Sequence, residues 1–218
     1  NSTSINLDFK FRNRPGIVKG DIKSFASIYN ENNVYIGKNT LIEDFVVINA
    51  EKGPVYIEEY VVIHSGSRLE GPLYIGRHSH ILGATISSSS IGPFCKVGGE
   101  ISNSIFYGFS NKAHYGYVGN SYIGEWVNLG AGTTTSNLKN TYGRISVKTP
   151  KESKDTGLQF LGTIMGDHSK TSIGSLLPTG CIVSYGCNLM GSTIHPKFVA
   201  PFSWGQSEDY EEFKLPKF

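Results

Sequence analysis

Apolar residues recur at every sixth position along much of this chain. Ile36, Ile42 and Ile48 form one run, and Ile57, Ile63, Leu69, Ile75 and Ile81 form a longer one. Between them the spacing overruns at Lys52-Gly53-Pro54, a turn signal. Ile91 and Val97 resume it after the serine run from Ser87 to Ser90, and Ile123 and Leu129 resume it after a longer interruption. A second regularity accompanies the first. Two residues before the marks stand mostly small or β-branched side chains: Val34, Thr40, Val46, Val55, Val61, Ser67, Leu73 and Ser79. After many marks comes glycine or an acid, as at Gly37, Glu43, Glu58, Gly76, Gly92, Gly98, Gly124 and Gly130.

A period of six suits neither the 3.6 of a helix nor the 2 of an ordinary strand. It suits short strands joined by tight corners, three to a coil, each sending one side chain into a narrow interior. The small residue two places earlier leaves room for the large one. Glycine or an Asp/Asn-type residue at a corner tolerates positive φ. The expected fold is therefore all-β, a parallel β-helix, with left-handed coils as in known hexapeptide-repeat proteins. An ordinary β-sandwich with chance periodicity is the alternative. The helix is expected to occupy residues 1–200, with 1–33 as an irregular lead-in. Two stretches leave the repeat: 103–119, read as an irregular aromatic loop, and 138–163, read as an inserted β-hairpin with a solvated tip at Lys151 to Asp155. Residues 201–218 read as a tail, carrying Trp204 and Tyr210, that packs across an end or a neighbour.

Composition narrows the function classes. The 218 residues provide one sizeable core, and a net charge of +2 with 17% charged residues gives no basic face for nucleic acid. The 26 glycines are spread along the chain, as regular turns require. Three cysteines, Cys95, Cys181 and Cys187, form no CxxC pair and argue for a reducing compartment without structural zinc. No apolar run reaches the roughly 18 residues that span a membrane, and NSTSINLDFKF lacks the regions of a signal peptide. A cytoplasmic protein is expected. The missing initiator Met suggests a fragment or processed product.

The segment NKAHYGYVGNSYIGEWVNLGAGTTTSN, from Asn111 to Asn137, resembles KAGHLTYLG…IG…NVNIGAGTI…N of the bifunctional N-acetylglucosamine-1-phosphate uridyltransferase/glucosamine-1-phosphate N-acetyltransferase family. Blocks SNLKN, DTGLQF and MGDHS resemble a variant of that family, and the likeness covers roughly 55–200. The resemblance implies an acetyl-CoA-dependent N-acetyltransferase acting on an amino sugar or its phosphate, built as a homotrimer with sites between subunits. It implies His114 as general base, a role that suits an imidazole near neutral pH and needs no metal. It further implies Tyr117, Asn128, Asn137 and Glu100 as acceptor-binding residues. Ala131 is implied beside the acyl group of acetyl-CoA, where its N–H supports the oxyanion, and Asn137 is shared with that ligand. Two departures stand out. The family's cationic phosphate-binding positions fall on Ala84 and Ser102, and its later lysines on Gly143 and Ser146; Lys112, Lys139 and Arg144 are nearby substitutes. The alternative is a non-catalytic β-helix serving as the oligomerisation or regulatory domain of a sugar-phosphate nucleotidyltransferase. No Gly-rich nucleotide loop precedes the repeat, so nucleotidyl transfer is not expected within this chain.

Other chemistry is weaker. His64, His78 and His80 invite a zinc reading, but the HxxxxH spacing of β-helical carbonic anhydrases is missing, so they read as surface histidines. Asp167-His168-Ser169 reads as a polar turn, because sequence neighbours do not converge into a triad. Cys95 occupies the small-residue position and reads as core.

Overall fold

The structure is a computed structural model that describes residues 16–206 and 209–212. They fall into two compact units, the first ending at His114 and the second beginning at Tyr115. In the first unit, Val34–Ile36, Val55–Ile57, Leu73–Ile75, Ser90–Ile91 and Ile105–Gly108 lie side by side as one parallel sheet. Leu41–Ile42, Val62–Ile63, His80–Ile81, Lys96–Val97 and Asn111–Lys112 form a second, and Val47–Asn49, Arg68–Glu70, Thr85–Ser87 and Glu100–Ser102 a third. Each coil gives one strand to each sheet. This is a parallel β-solenoid, consistent with the left-handed β-helix expected from the repeat.

The register is set by stacking like on like. Ile36 pairs with Ile57 and Ile57 with Ile75, while Ile42, Ile63, Ile81 and Val97 follow one another in the second sheet. All of these are fully buried, as are Thr40, Val61 and Ser79, two places before marks in the second sheet, and Val46, two places before buried Ile48. Cys95 also fills such a position. In the second unit the stacks are Tyr122–Glu125, Ile164–Met165, Ile182–Val183 and Phe198–Val199, then Asn128–Leu129, Lys170–Thr171, Asn188–Leu189 and Ser203–Gln206.

The structure departs from the sequence reading at several points. The lead-in is already regular from Ile17–Val18, which pairs in parallel with Val34–Ile36; residues 1–15 of that expectation lie outside the described residues. Residues 103–119 are not an irregular loop. Ser104, Phe106, Ser110 and Lys112 occupy interior positions in the first unit, and Val118 does so in the second. They escaped notice because phenylalanine and lysine stand where the repeat elsewhere has Ile, Val or Leu, and because one corner is a residue shorter. Ser88, Asn103 and Asn120 turn that corner with φ of 48°, each followed by a buried serine: Ser89, Ser104 and Ser121. The described part of the tail adds to the stack. Ser203–Gln206 pairs in parallel with Asn188–Leu189, and Asp209–Glu212 folds back on it antiparallel; 207–208 and 213–218 lie outside the described residues.

The glycines after the marks serve a different purpose from the one expected. They are not left-handed; the next coil passes too close for a side chain. A Cβ on Gly92 would lie 1.8 Å from the Tyr107 carbonyl oxygen, and one on Gly98 2.4 Å from that of Ala113. Positive φ falls instead on aromatic residues at one corner, Tyr60, His78, Phe94 and Phe109, with φ between 50° and 59°. Such residues pay roughly 1–2 kcal/mol for that conformation. Their rings stack coil on coil, 4.9 Å from Tyr60 to His78, 4.8 Å to Phe94 and 5.0 Å to Phe109. Aromatic pairs contribute about 0.5–1.5 kcal/mol beyond burial, which offsets much of the strain.

Replacing Gly92 by Ala should therefore lower unfolding stability by about 1–3 kcal/mol or more. Gly143→Ala, whose Cβ meets only Thr141 Oγ1 at 3.6 Å, should stay within about 0.5 kcal/mol of wild type. Urea melts of the two variants side by side check the contrast.

Candidate active site

The second unit holds a cavity of about 750 Å³ lined by Tyr117, residues 134–141, residues 176–179 and Ile194. It lies where the chain leaves the coil. After Thr134–Thr135, which pairs with Leu176–Leu177, an insertion runs outward and returns at Leu161. Its neck is pinched: Leu161 N–H donates to the Asn137 carbonyl at 3.0 Å, Leu138 bridges Phe160, and Gly162 N–H donates to Asn120 O at 2.9 Å. Beyond the neck, Ser146–Lys148 pairs antiparallel with Ser153–Asp155. Buried Ile145 anchors this hairpin against Gly180, where a Cβ would meet its Cγ2 at 2.7 Å.

Asn137 sits in the neck and is held from two sides. Its Nδ2 donates to Tyr117 Oη at 3.0 Å and to Asn120 Oδ1 at 2.7 Å. Both amide hydrogens are thus committed, and the carbonyl oxygen is left as the group able to accept from a ligand. The structure therefore brings Tyr117 and Asn137 together, as residues of one cavity wall. Asn120 is a partner the sequence reading missed. The signal was present in the Asn120-Ser121 pair, which repeats the Asn103-Ser104 corner.

The remaining candidates are placed separately. Asn128 is exposed on its strand, opposite Lys170, and lies outside this cavity. Ala131 O accepts from Gly174 N–H at 2.7 Å, while its own N–H has no acceptor among the described residues. His114 and Glu100 belong to the first unit. Both are exposed, and the His114 ring has no hydrogen-bond partner among the described residues. Ala84, one of the two uncharged replacements for a phosphate ligand, is fully buried.

Lys112 is no surface substitute for that charge. It fills an interior position, fully buried, and its Nζ donates to the carbonyl of His114. The coil interior thus fixes the backbone of the candidate base. Burial pushes the Lys112 ammonium down to about 8.

The histidines resolve into separate roles. His64 uses both ring nitrogens, Nδ1 on Glu43 at 3.0 Å and Nε2 on His80 Nδ1 at 3.3 Å. His78 does not share their face; it turns the corner between Tyr60 and Phe94. Asp167, His168 and Ser169 diverge. Asp167 accepts from Glu125 N–H at 2.8 Å, His168 stacks on Trp126, and buried Ser169 donates to Ser184 O at 2.7 Å.

No family model matches the chain. The bifunctional protein GlmU of Synechococcus elongatus is 32% identical over 167 residues, 75% of this chain and 31% of that protein. The bifunctional sugar-1-phosphate nucleotidylyltransferase/acetyltransferase of Sulfurisphaera tokodaii is 34% identical over 163 residues, 71% of this chain and 39% of that one. The chain is similar to the acetyltransferase region of the GlmU proteins. It spans about a third of the length of the curated relatives it matches. Among solved structures, the UDP-N-acetylglucosamine O-acyltransferase LpxA of Moraxella catarrhalis aligns over 92% of this chain and 74% of that one, with 13% identity and a TM-score of 0.46. Among the described residues, no helix is long and apolar enough to cross a membrane.

The buried amine gives a pH test. Its native pKa lies below the 10.5 of a free lysine, so the unfolded chain holds the proton more tightly between about pH 8 and 10.5. Stability of wild type relative to Lys112→Met should rise across that window, by about 1–3 kcal/mol from pH 7 to 10. The Cys95 and Cys181 thiols, pushed up by burial to about 11 and about 12, act in the opposite sense in both proteins. The difference between two denaturant series at each pH isolates the lysine.

Proposed function

We propose that this chain is an acetyl-CoA-dependent N-acetyltransferase whose acceptor is an amino sugar or an amino-sugar phosphate. The observation that carries the reading is the cavity at the insertion neck. There Asn137 is fixed by Tyr117 and Asn120 with its carbonyl oxygen left to accept from an amine or hydroxyl. The 32% identity to GlmU of Synechococcus elongatus, over 75% of this chain, supports the reaction class, as does the acetyltransferase named in the Sulfurisphaera tokodaii relative.

In the proposed reaction the acceptor's amine nitrogen attacks the thioester carbonyl of acetyl-CoA while His114, as the neutral imidazole, takes the proton that nitrogen loses. A C–N bond forms, the C–S bond breaks, and the CoA thiolate leaves and is protonated. The unused Ala131 N–H is the donor assigned to the oxyanion. Asn137 orients the amine and Tyr117 binds the acceptor; the acceptor-binding roles of Asn128 and Glu100 rest on the family resemblance alone. The proposed assembly is a homotrimer with sites between subunits. The expected setting is the cytoplasm.

The test is thiol release from acetyl-CoA with glucosamine 1-phosphate and other amino sugars. Acceptor-dependent turnover is expected, falling about 10²–10⁴-fold in His114→Ala with the fold and oligomeric state retained. No acceptor-dependent release, together with no binding of acetyl-CoA, would leave the chain as a β-helical assembly domain.

A further inference from the structure

Positive charge collects at the base of the hairpin without any carboxylate to answer it. Lys139 lines the cavity beside Asn137 and donates from Nζ to the carbonyl of Arg144. Lys197, from a later coil, donates from Nζ to the carbonyl of Ser146 at 3.2 Å. Those carbonyls are two residues apart in sequence, Ser146 opening the strand Ser146–Lys148 and Arg144 just preceding it. Each is half-buried. Among the described residues neither ammonium, nor the Arg144 guanidinium, has a carboxylate within salt-bridge distance.

Gathering like charges in a partly desolvated place costs energy that an anion would recover. The Lys197 ammonium already shows that cost: burial, then the charge of Lys139, holds it below the usual lysine range. Each ammonium spends one hydrogen on a backbone carbonyl and keeps two for a ligand. A phosphate monoester matches this arrangement better than a carboxylate. It carries close to two negative charges at neutral pH and offers three acceptor oxygens. Lys139 lines the same cavity as Asn137, whose Oδ1 is free to accept from an N–H or O–H donor.

We infer that Lys139 and Lys197 form a phosphate-monoester site at the neck of the insertion. The site draws its two cations from the insertion and from a late coil. Binding alone does not require the proposed reaction; only the assignment of the ester to the acceptor rests on that reading. Two sources carry the chemistry, the acceptor's phosphate and the 3′-phosphate of CoA.

Calorimetry on the full chain separates them, using glucosamine 1-phosphate against glucosamine, and CoA against dephospho-CoA. One phosphorylated ligand is expected to bind at least about tenfold tighter than its dephosphorylated partner. That advantage should shrink about tenfold in Lys139→Gln and in Lys197→Gln, with melting temperatures checked alongside. The pair showing the effect names the source. Equal binding within both pairs, no binding of any of the four, or an advantage that survives both substitutions overturns the site. The ligand pairs test wild type directly, so a variant that fails to fold does not shield the idea. Phosphate-dependent binding without turnover would sink the transferase reading and leave this site standing.

Discussion

Within each compact unit, the described coils are held by their neighbours through parallel backbone hydrogen bonds that fix register residue by residue. Val34 lies over Val55 and Val55 over Leu73, with Ile36, Ile57 and Ile75 following in step. Because the coils are in register, whatever a sequence position does in one coil it must do in the next. Interior positions stack into buried columns, and the glycine after a mark accepts the backbone of the neighbour that crosses it. Aromatic residues at one corner become a ladder of stacked rings. Stability is then close to a sum of neighbour interactions, and departures from the repeat are tolerated only where they leave those interactions intact.

The insertion satisfies that condition. The chain leaves after Thr135 and is returned to the coil at Thr163, whose own backbone N–H is bonded to buried Ser121 at 2.9 Å. Between those points the backbone is free of the register rule and can be spent on a pocket. Short bonds close the neck, Ile145 anchors the hairpin, and the polar groups of Asn137, Tyr117 and Lys139 line the opening. A rigid ladder with one tethered excursion is how solenoids place adaptable chemistry on a fixed frame.

The coil architecture was legible because its cause is periodic. Ile57, Ile63 and Ile75 announce the interior by spacing alone. Lys112 did not, since a lysine at an interior position breaks the apolar pattern while keeping the geometric one, and its cost is borne by a bond to the His114 carbonyl. The purpose of Gly92 was equally hidden, because a clash with the next coil is a property of two segments at once. At the site, Asn137 and Tyr117 were visible through a resemblance. Leu176 was not, as it reaches the cavity only after a long excursion has closed, and Asn120 and Lys197 act from outside the lining, on Asn137 and on the Ser146 carbonyl.

The central claim is that the cavity at the insertion neck receives the amino-sugar acceptor. A crystal structure of the chain soaked with glucosamine 1-phosphate and CoA tests it most directly. The sugar is expected in this cavity, its nitrogen within hydrogen-bonding distance of Asn137 Oδ1. A sugar bound elsewhere, with the Asn137 cavity empty or filled by another copy's backbone, would contradict it.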